Sequence, residues 1–195
     1  MDEPLDTYDQ ICLSIGRMSR CWGLLDYELN LLLGEMLQID EERTSCITTE
    51  LRDVAPKCRT IRALSFAVGA PQDWIATLTE LLNIIQNQLG PSRNRIIHDA
   101  WYETPEQGPL RLDKRAKVTR PQSFTDFTLS TNREHSFSVD DVDLLAIRII
   151  AAMPRVAQAR FDIEKLNCEG SFPERPELDH ARIKQIPELQ LPPDA

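Results

Sequence analysis

Near the middle of the chain, Arg93-Asn94-Arg95-Ile96-Ile97-His98 follows directly on Gly90-Pro91-Ser92 and sets an arginine and a histidine five positions apart beside an amide. Arginine is a permanent cation whose fork of donors matches phosphate oxygens. Histidine is the side chain best placed to move protons near neutral pH. If Pro91 opens a helical turn, Asn94 and His98 share one helix face, toward which the long Arg93 side chain can swing, while Ile96 and Ile97 turn to the core. The N–H groups left open at a helix start would meet a phosphate oxygen. Such a constellation can bind a phosphodiester and break it without a metal. His98 would take the proton of a ribose 2′-hydroxyl or give one to the leaving oxygen, and Arg93 would stabilise charge building at phosphorus. The attacking 2′-hydroxyl restricts that chemistry to RNA. One motif supplies one proton carrier, and neither His135 nor His180 is an evident second, so two copies facing each other in a symmetric dimer would complete the set. The alternative is architectural: Arg93 pairs with a surface carboxylate and His98 hydrogen-bonds within the fold.

The elements that must hold this motif are helical. Tyr8, Ile11, Ile15, Met18, Trp22, Leu25, Leu29, Leu32 and Met36 recur at alternating steps of three and four, which predicts one helix over about 6–38. Leu24, Leu31 and Leu33 widen its apolar stripe and make self-association credible. Ile47, Leu51, Val54, Cys58, Ile61, Leu64 and Val68 mark a second stretch that Pro56 should kink or split. Gly69-Ala70-Pro71 stops it, and Trp74, Leu78, Leu81, Ile85 and Leu89 form a third stripe, which Gly90-Pro91 should interrupt or restart. From 102 to 138 the helical period fades into turn residues and short alternating runs, which predicts a β-hairpin or an irregular arm. Ser138 with Asp141 reads as the start of a last long helix carrying Val142, Leu145, Ile149, Ala152, Val156, Ala159, Ile163 and Leu166, bent at Pro154. The sum is an all-α, antiparallel bundle of four to five helices over 1–169, the arm being inserted before the last long helix. Residues 170–195 hold five prolines and predict an extended or flexible tail.

Composition sets the limits. The 195 residues are 42% hydrophobic and 27% charged, ordinary for a single globular domain. No apolar run approaches a membrane span and no leader precedes the first helix, so a cytoplasmic protein without membrane contact is expected. Five scattered cysteines show neither zinc nor disulfide spacing and are expected to be reduced and mostly buried. No cofactor and no metal is expected. His98-Asp99 lacks the further histidines of metal phosphohydrolases, and Glu41, Glu42, Asp140, Asp141 and Asp143 suit helix starts. There is no glycine-rich phosphate loop and no recognisable nucleophile with its base. A net charge of −9 argues against a general nucleic-acid coat. Yet residues 90–121 carry seven basic against four acidic side chains, leaving that segment at +3 and the rest at −12. Arg95, Arg111, Lys114, Arg115, Lys117 and Arg120 are therefore the candidates to hold an RNA backbone beside the motif.

An all-helical bundle with Arg93, the polar Asn94 next to it and His98 five residues on resembles the HEPN superfamily. Many of its members are metal-independent endoribonucleases, among them toxins of toxin–antitoxin pairs and effectors of anti-phage defence. The resemblance implies a homodimer with a composite site in which Arg93, Asn94 and His98 take the catalytic positions, with RNA as substrate and an antitoxin or regulatory protein as partner. Asp99-Ala100-Trp101 and the turn-rich arm resemble members in which a short hairpin follows the motif. Since some members lack catalysis, a dimerisation or binding module for a protein or nucleotide partner is the alternative. The acidic total charge and the Gly90-Pro91 break depart from the catalytic pattern.

Overall fold

The computed structural model describes residues 7–98, 100–104, 108–112, 117–118, 129–130, 134–136, 138–174 and 176–187. The protein is all-α. Alternating apolar steps build α1 (Thr7–Leu37) and α6 (Val139–Glu169), the two longest helices. Between them come α2 (Glu41–Glu50), α3 (Val54–Ala67), α4 (Gln72–Ile84) and α5 (Gly90–His98), and α7 (His180–Ile183) follows α6. Met18, Leu25, Leu29 and Leu32 of α1 are buried with Leu145, Ile149, Val156 and Ile163 of α6, and both stripes close on Leu78, Leu81 and Leu82 of α4. Two Asp side chains and one Ser mark helix starts. Asp40 accepts from the Arg43 N–H at 2.8 Å, Asp179 accepts from Ala181, and Ser138 and Asp141 form a reciprocal capping box.

Five expectations change. The first concerns direction. Arg160 sits 3.5 Å from Glu28, and Asn167 donates to the Glu35 carbonyl at 2.9 Å, so α1 and α6 run parallel. Trp74 bonded to Asp162 and Gln88 bonded to Arg148 show that α4 and the turn after it run opposite to α6. Short links force antiparallel neighbours, but the chain between α1 and α6 is long enough to return to the same end. Second, the stretch from Ile47 to Val68 is split as expected, but the break falls at Leu51–Asp53, and Pro56 lies in the first turn of α3, where its missing N–H has no partner to lose. Third, Gly90-Pro91 does not restart the helix. Ile85–Leu89 forms a π turn whose last bond runs from Gly90 N–H to the Ile85 carbonyl, and α4 continues through it into α5. One extra residue in the turn gives the proline ring the room that a regular turn denies it.

The fourth change is the tail. Leu178, Ile183 and Ile186 are buried in the common core, and Phe172 meets Trp74 edge to face at 5.2 Å. Residues 172–174 and 176–187 therefore strap across α4 and α6 rather than standing free, and the expected tail beyond Pro187 lies outside the described residues. Buried Asp162 binds the strap, accepting from the Glu177 and Leu178 N–H groups and from Trp74 Nε1. Buried Arg148 reaches the Pro187 carbonyl at the far end. Proline spacing removes helical hydrogen bonds but does not stop apolar residues between prolines from packing.

The expected arm lies largely outside the described residues. Of it, backbone pairing is described for β1 (Ala100–Thr104) against β2 (Gly108–Leu112), and for β2 against β5 (Glu134–Ser136). A second antiparallel pair joins β3 (Lys117–Val118) to β4 (Leu129–Ser130). No described helix is long and apolar enough to cross a membrane.

The cysteines are not mostly buried. Cys12, Cys46 and Cys168 are exposed, Cys21 is half-buried, and Cys58 alone is enclosed. Burial pushes the Cys58 thiol up to about 12, so it stays protonated. Titration with a thiol reagent at pH 8 is expected to modify the three exposed cysteines promptly and Cys58 only on unfolding. Rapid native-state labelling of Cys58 would contradict that burial.

Candidate functional site

The π turn decides where the Arg-His motif sits. A Cβ built on Gly90 would lie 3.3 Å from the Ile85 carbonyl, 3.4 Å from Val54 Cγ1 and 3.6 Å from Trp22 Cη2. Glycine thus lets α5 press against the Trp22 ring and the start of α3. Ser92, buried behind it, donates to the Gln88 carbonyl at 2.8 Å and ties α5 back to the π turn. Arg148 donates to the Gln88 side chain at 2.7 Å from the far side.

On that base Arg93 is half-buried and held in place. Its Nη1 donates to Asn94 Oδ1 at 2.9 Å, and its guanidinium lies 5.8 Å from the centre of the Trp22 ring. Burial lowers its affinity for the proton, and the nearby Asp26 carboxylate raises it in part. Asp26 itself grips the buried Lys57 ammonium with both oxygens at 2.7 Å. Arg93 Nε is shielded from water and has no hydrogen-bond partner among the described residues. Arg62 and Arg155 leave Nε in the same state, so the shielded donor does not by itself mark an anion site.

Asn94 and His98 are both exposed, one helical turn apart, with His98 the last residue of α5. Ile96 between them is buried and Ile97 half-buried, as the helical period required. The fold therefore brings Arg93 and Asn94 into contact and presents His98 on the same helix, with no hydrogen bond from His98 among the described residues. Arg95 is half-buried and already engaged in the fold. Arg111 lies on β2, opposite Trp101 and His135 in the backbone register, and Lys117 lies on β3 opposite Ser130. Lys114, Arg115 and Arg120 lie outside the described residues. His180 is occupied elsewhere, 2.9 Å from Glu80.

Three contributors escaped the sequence reading. Gly90 read as a break, and Trp22 as plain core. Asp26 carried no signal at all. Glycine beside proline gave the one available hint, since that pair also marks places where backbones approach closely. Among the described residues no group of three or more His, Cys, Asp or Glu is arranged to hold a metal ion. Comparison with protein-family models, curated proteins and solved structures yields no match to this chain.

Proposed function

We propose that this protein is a metal-independent endoribonuclease of the HEPN type that works as a homodimer in a toxin or anti-phage defence setting. The supporting observation is the layout of α5: an arginine fixed by Asn94 and Trp22, and an exposed histidine on the same helix. In this reading Arg93 holds the scissile phosphate and Asn94 steadies the guanidinium. His98 accepts the 2′-hydroxyl proton. The 2′-oxygen forms its bond to phosphorus, the 5′-oxygen leaves and takes up a proton from the motif of the facing copy, and the products are a 2′,3′-cyclic phosphate and a 5′-hydroxyl. The basic residues of the arm are assigned to the RNA backbone, and an antitoxin or regulatory protein is the assigned restraint.

His98→Ala is expected to lower cleavage of single-stranded RNA by a factor of about 10²–10⁴, the usual worth of a general base, with the melting temperature unchanged and EDTA without effect. Cleavage by the variant at the wild-type rate would remove His98 from the mechanism. The second reading, a non-catalytic dimerisation module, is favoured by a wide apolar face on α1 and α6 and by the acidic total charge. It expects no cleavage by the wild type either.

A further inference from the structure

We propose that the C-terminal strap controls the motif helix. Arg148, a positioning residue buried on α6, couples the far end of the strap to the π turn, so that α5 is held against Trp22 only while the strap is docked. The strap runs back along α6. Glu177 and Leu178 meet Asp162, whereas the Pro187 carbonyl meets Arg148, about 21 Å nearer the start of that helix at 1.5 Å per residue. Its end therefore arrives at the level of the π turn. Arg148 is 1% exposed; its Nε donates to the Pro187 carbonyl and its Nη2 to the Gln88 side chain, the latter at 2.7 Å. One planar, permanently charged group thus joins the strap to the turn from which α5 springs.

That turn needs outside support. A π turn is a rare conformation, and Pro91 beside it lends no N–H. Gly90 closes one bond to the Ile85 carbonyl, and the Ser92 hydroxyl closes another to the Gln88 carbonyl. Arg148 adds a charged donor from the neighbouring helix, and charge-assisted bonds are the stronger kind. A buried guanidinium cannot give up an acceptor without cost. When the strap lifts, Arg148 loses the Pro187 carbonyl and turns toward water, and its hold on the exposed Gln88 is lost with it. The junction then loosens at Pro91, and Arg93 leaves the Trp22 ring. The strap is built to lift as a unit: Leu178, Ile183 and Ile186 dock it, and His180 latches it to Glu80 of α4 at 2.9 Å. This link is independent of what α5 does, but its control of cleavage rests on the ribonuclease reading.

Hydrogen–deuterium exchange of the full chain, read by mass spectrometry, tests the link. Ile186→Asp frees the far end of the strap and is expected to speed exchange of the α5 amides about tenfold, with residues 58–67 of α3 unchanged. Gln88→Ala cuts the link from the other side, so α5 is expected to lose protection while the strap keeps its own. Gln88→Glu preserves an acceptor for Arg148 and is expected to match wild type. RNA cleavage by the two loosened variants is expected to fall about tenfold, as misplaced catalytic groups do. Unchanged α5 exchange in Gln88→Ala, or a rise in Ile186→Asp as large in α3 as in α5, would overturn the link. If the wild type cleaves no RNA, the ribonuclease reading fails and the exchange rates still decide the link. If it cleaves and both loosened variants cleave as fast, the strap does not control the site.

Discussion

Asp162→Ala is expected to destabilise the protein by about 3–5 kcal/mol, a large share of the 5–15 kcal/mol typical of a folded domain. Asp162 is fully buried on α6, and its two oxygens accept three hydrogen bonds. Two come from the backbone of the strap at Glu177 and Leu178, and one from the Trp74 indole. Alanine removes the acceptors but leaves the donors in place, so each must go unsatisfied or reach water by undocking the strap. Undocking would also expose Leu178, Ile183 and Ile186 and part Phe172 from Trp74. Urea unfolding followed through tryptophan fluorescence is the measurement, with a melting point lowered by about 10 °C as its thermal counterpart. Asp162→Asn keeps one carbonyl acceptor and should lose roughly half as much. An alanine variant as stable as wild type would show that the strap is not anchored there.

Asp26→Ala is expected to cost about 2–4 kcal/mol, from the opposite side of α1. The Lys57 side chain is 4% exposed and relies on both Asp26 oxygens, whereas Asp26 itself is 34% exposed. Without the carboxylate, an ammonium is left inside the fold with no counter-charge. Because water reaches Asp26, the loss sits below that of a fully enclosed pair. The diagnostic partner is Asp26→Ala with Lys57→Met, which removes the stranded charge and should regain most of the loss. If the double variant is no more stable than Asp26→Ala, burial of Lys57 is not the cause. Asp26 also lies near Arg93 and favours its charged form, so the single variant should perturb the Arg93–Trp22 contact and shift the tryptophan emission.

The helices were legible because their signal is local. A residue three or four positions on lies on the same face whatever the rest of the chain does, so the Met18–Leu32 and Leu145–Ile163 stripes mark the buried faces without tertiary information. The Ser138–Asp141 cap was legible for the same reason, since its bonds close within one turn. Arg93, Asn94 and His98 could be placed on one short helix, and Ile96 turned inward, from spacing alone. The strap was not legible. What holds it is a carboxylate on another helix, which proline content does not report.

By itself, then, the sequence determined the all-α class, the faces of the long helices and the helix that carries the Arg-His motif. Each is a property of neighbours within two turns. Only the tertiary structure decided that α1 and α6 run parallel, that a π turn carries α4 past Pro91, and that Gly90 makes way for Trp22. It also decided which arginine is locked and which histidine is paired with a carboxylate. Arg93 and Arg148 are alike in sequence, but one faces Asn94 and a tryptophan ring while the other is sealed between Gln88 and the Pro187 carbonyl. The physical reason is range. A hydrogen bond or a charge acts over a few ångströms of space, and the fold alone determines which residues, 60 or 88 positions apart, come within that distance.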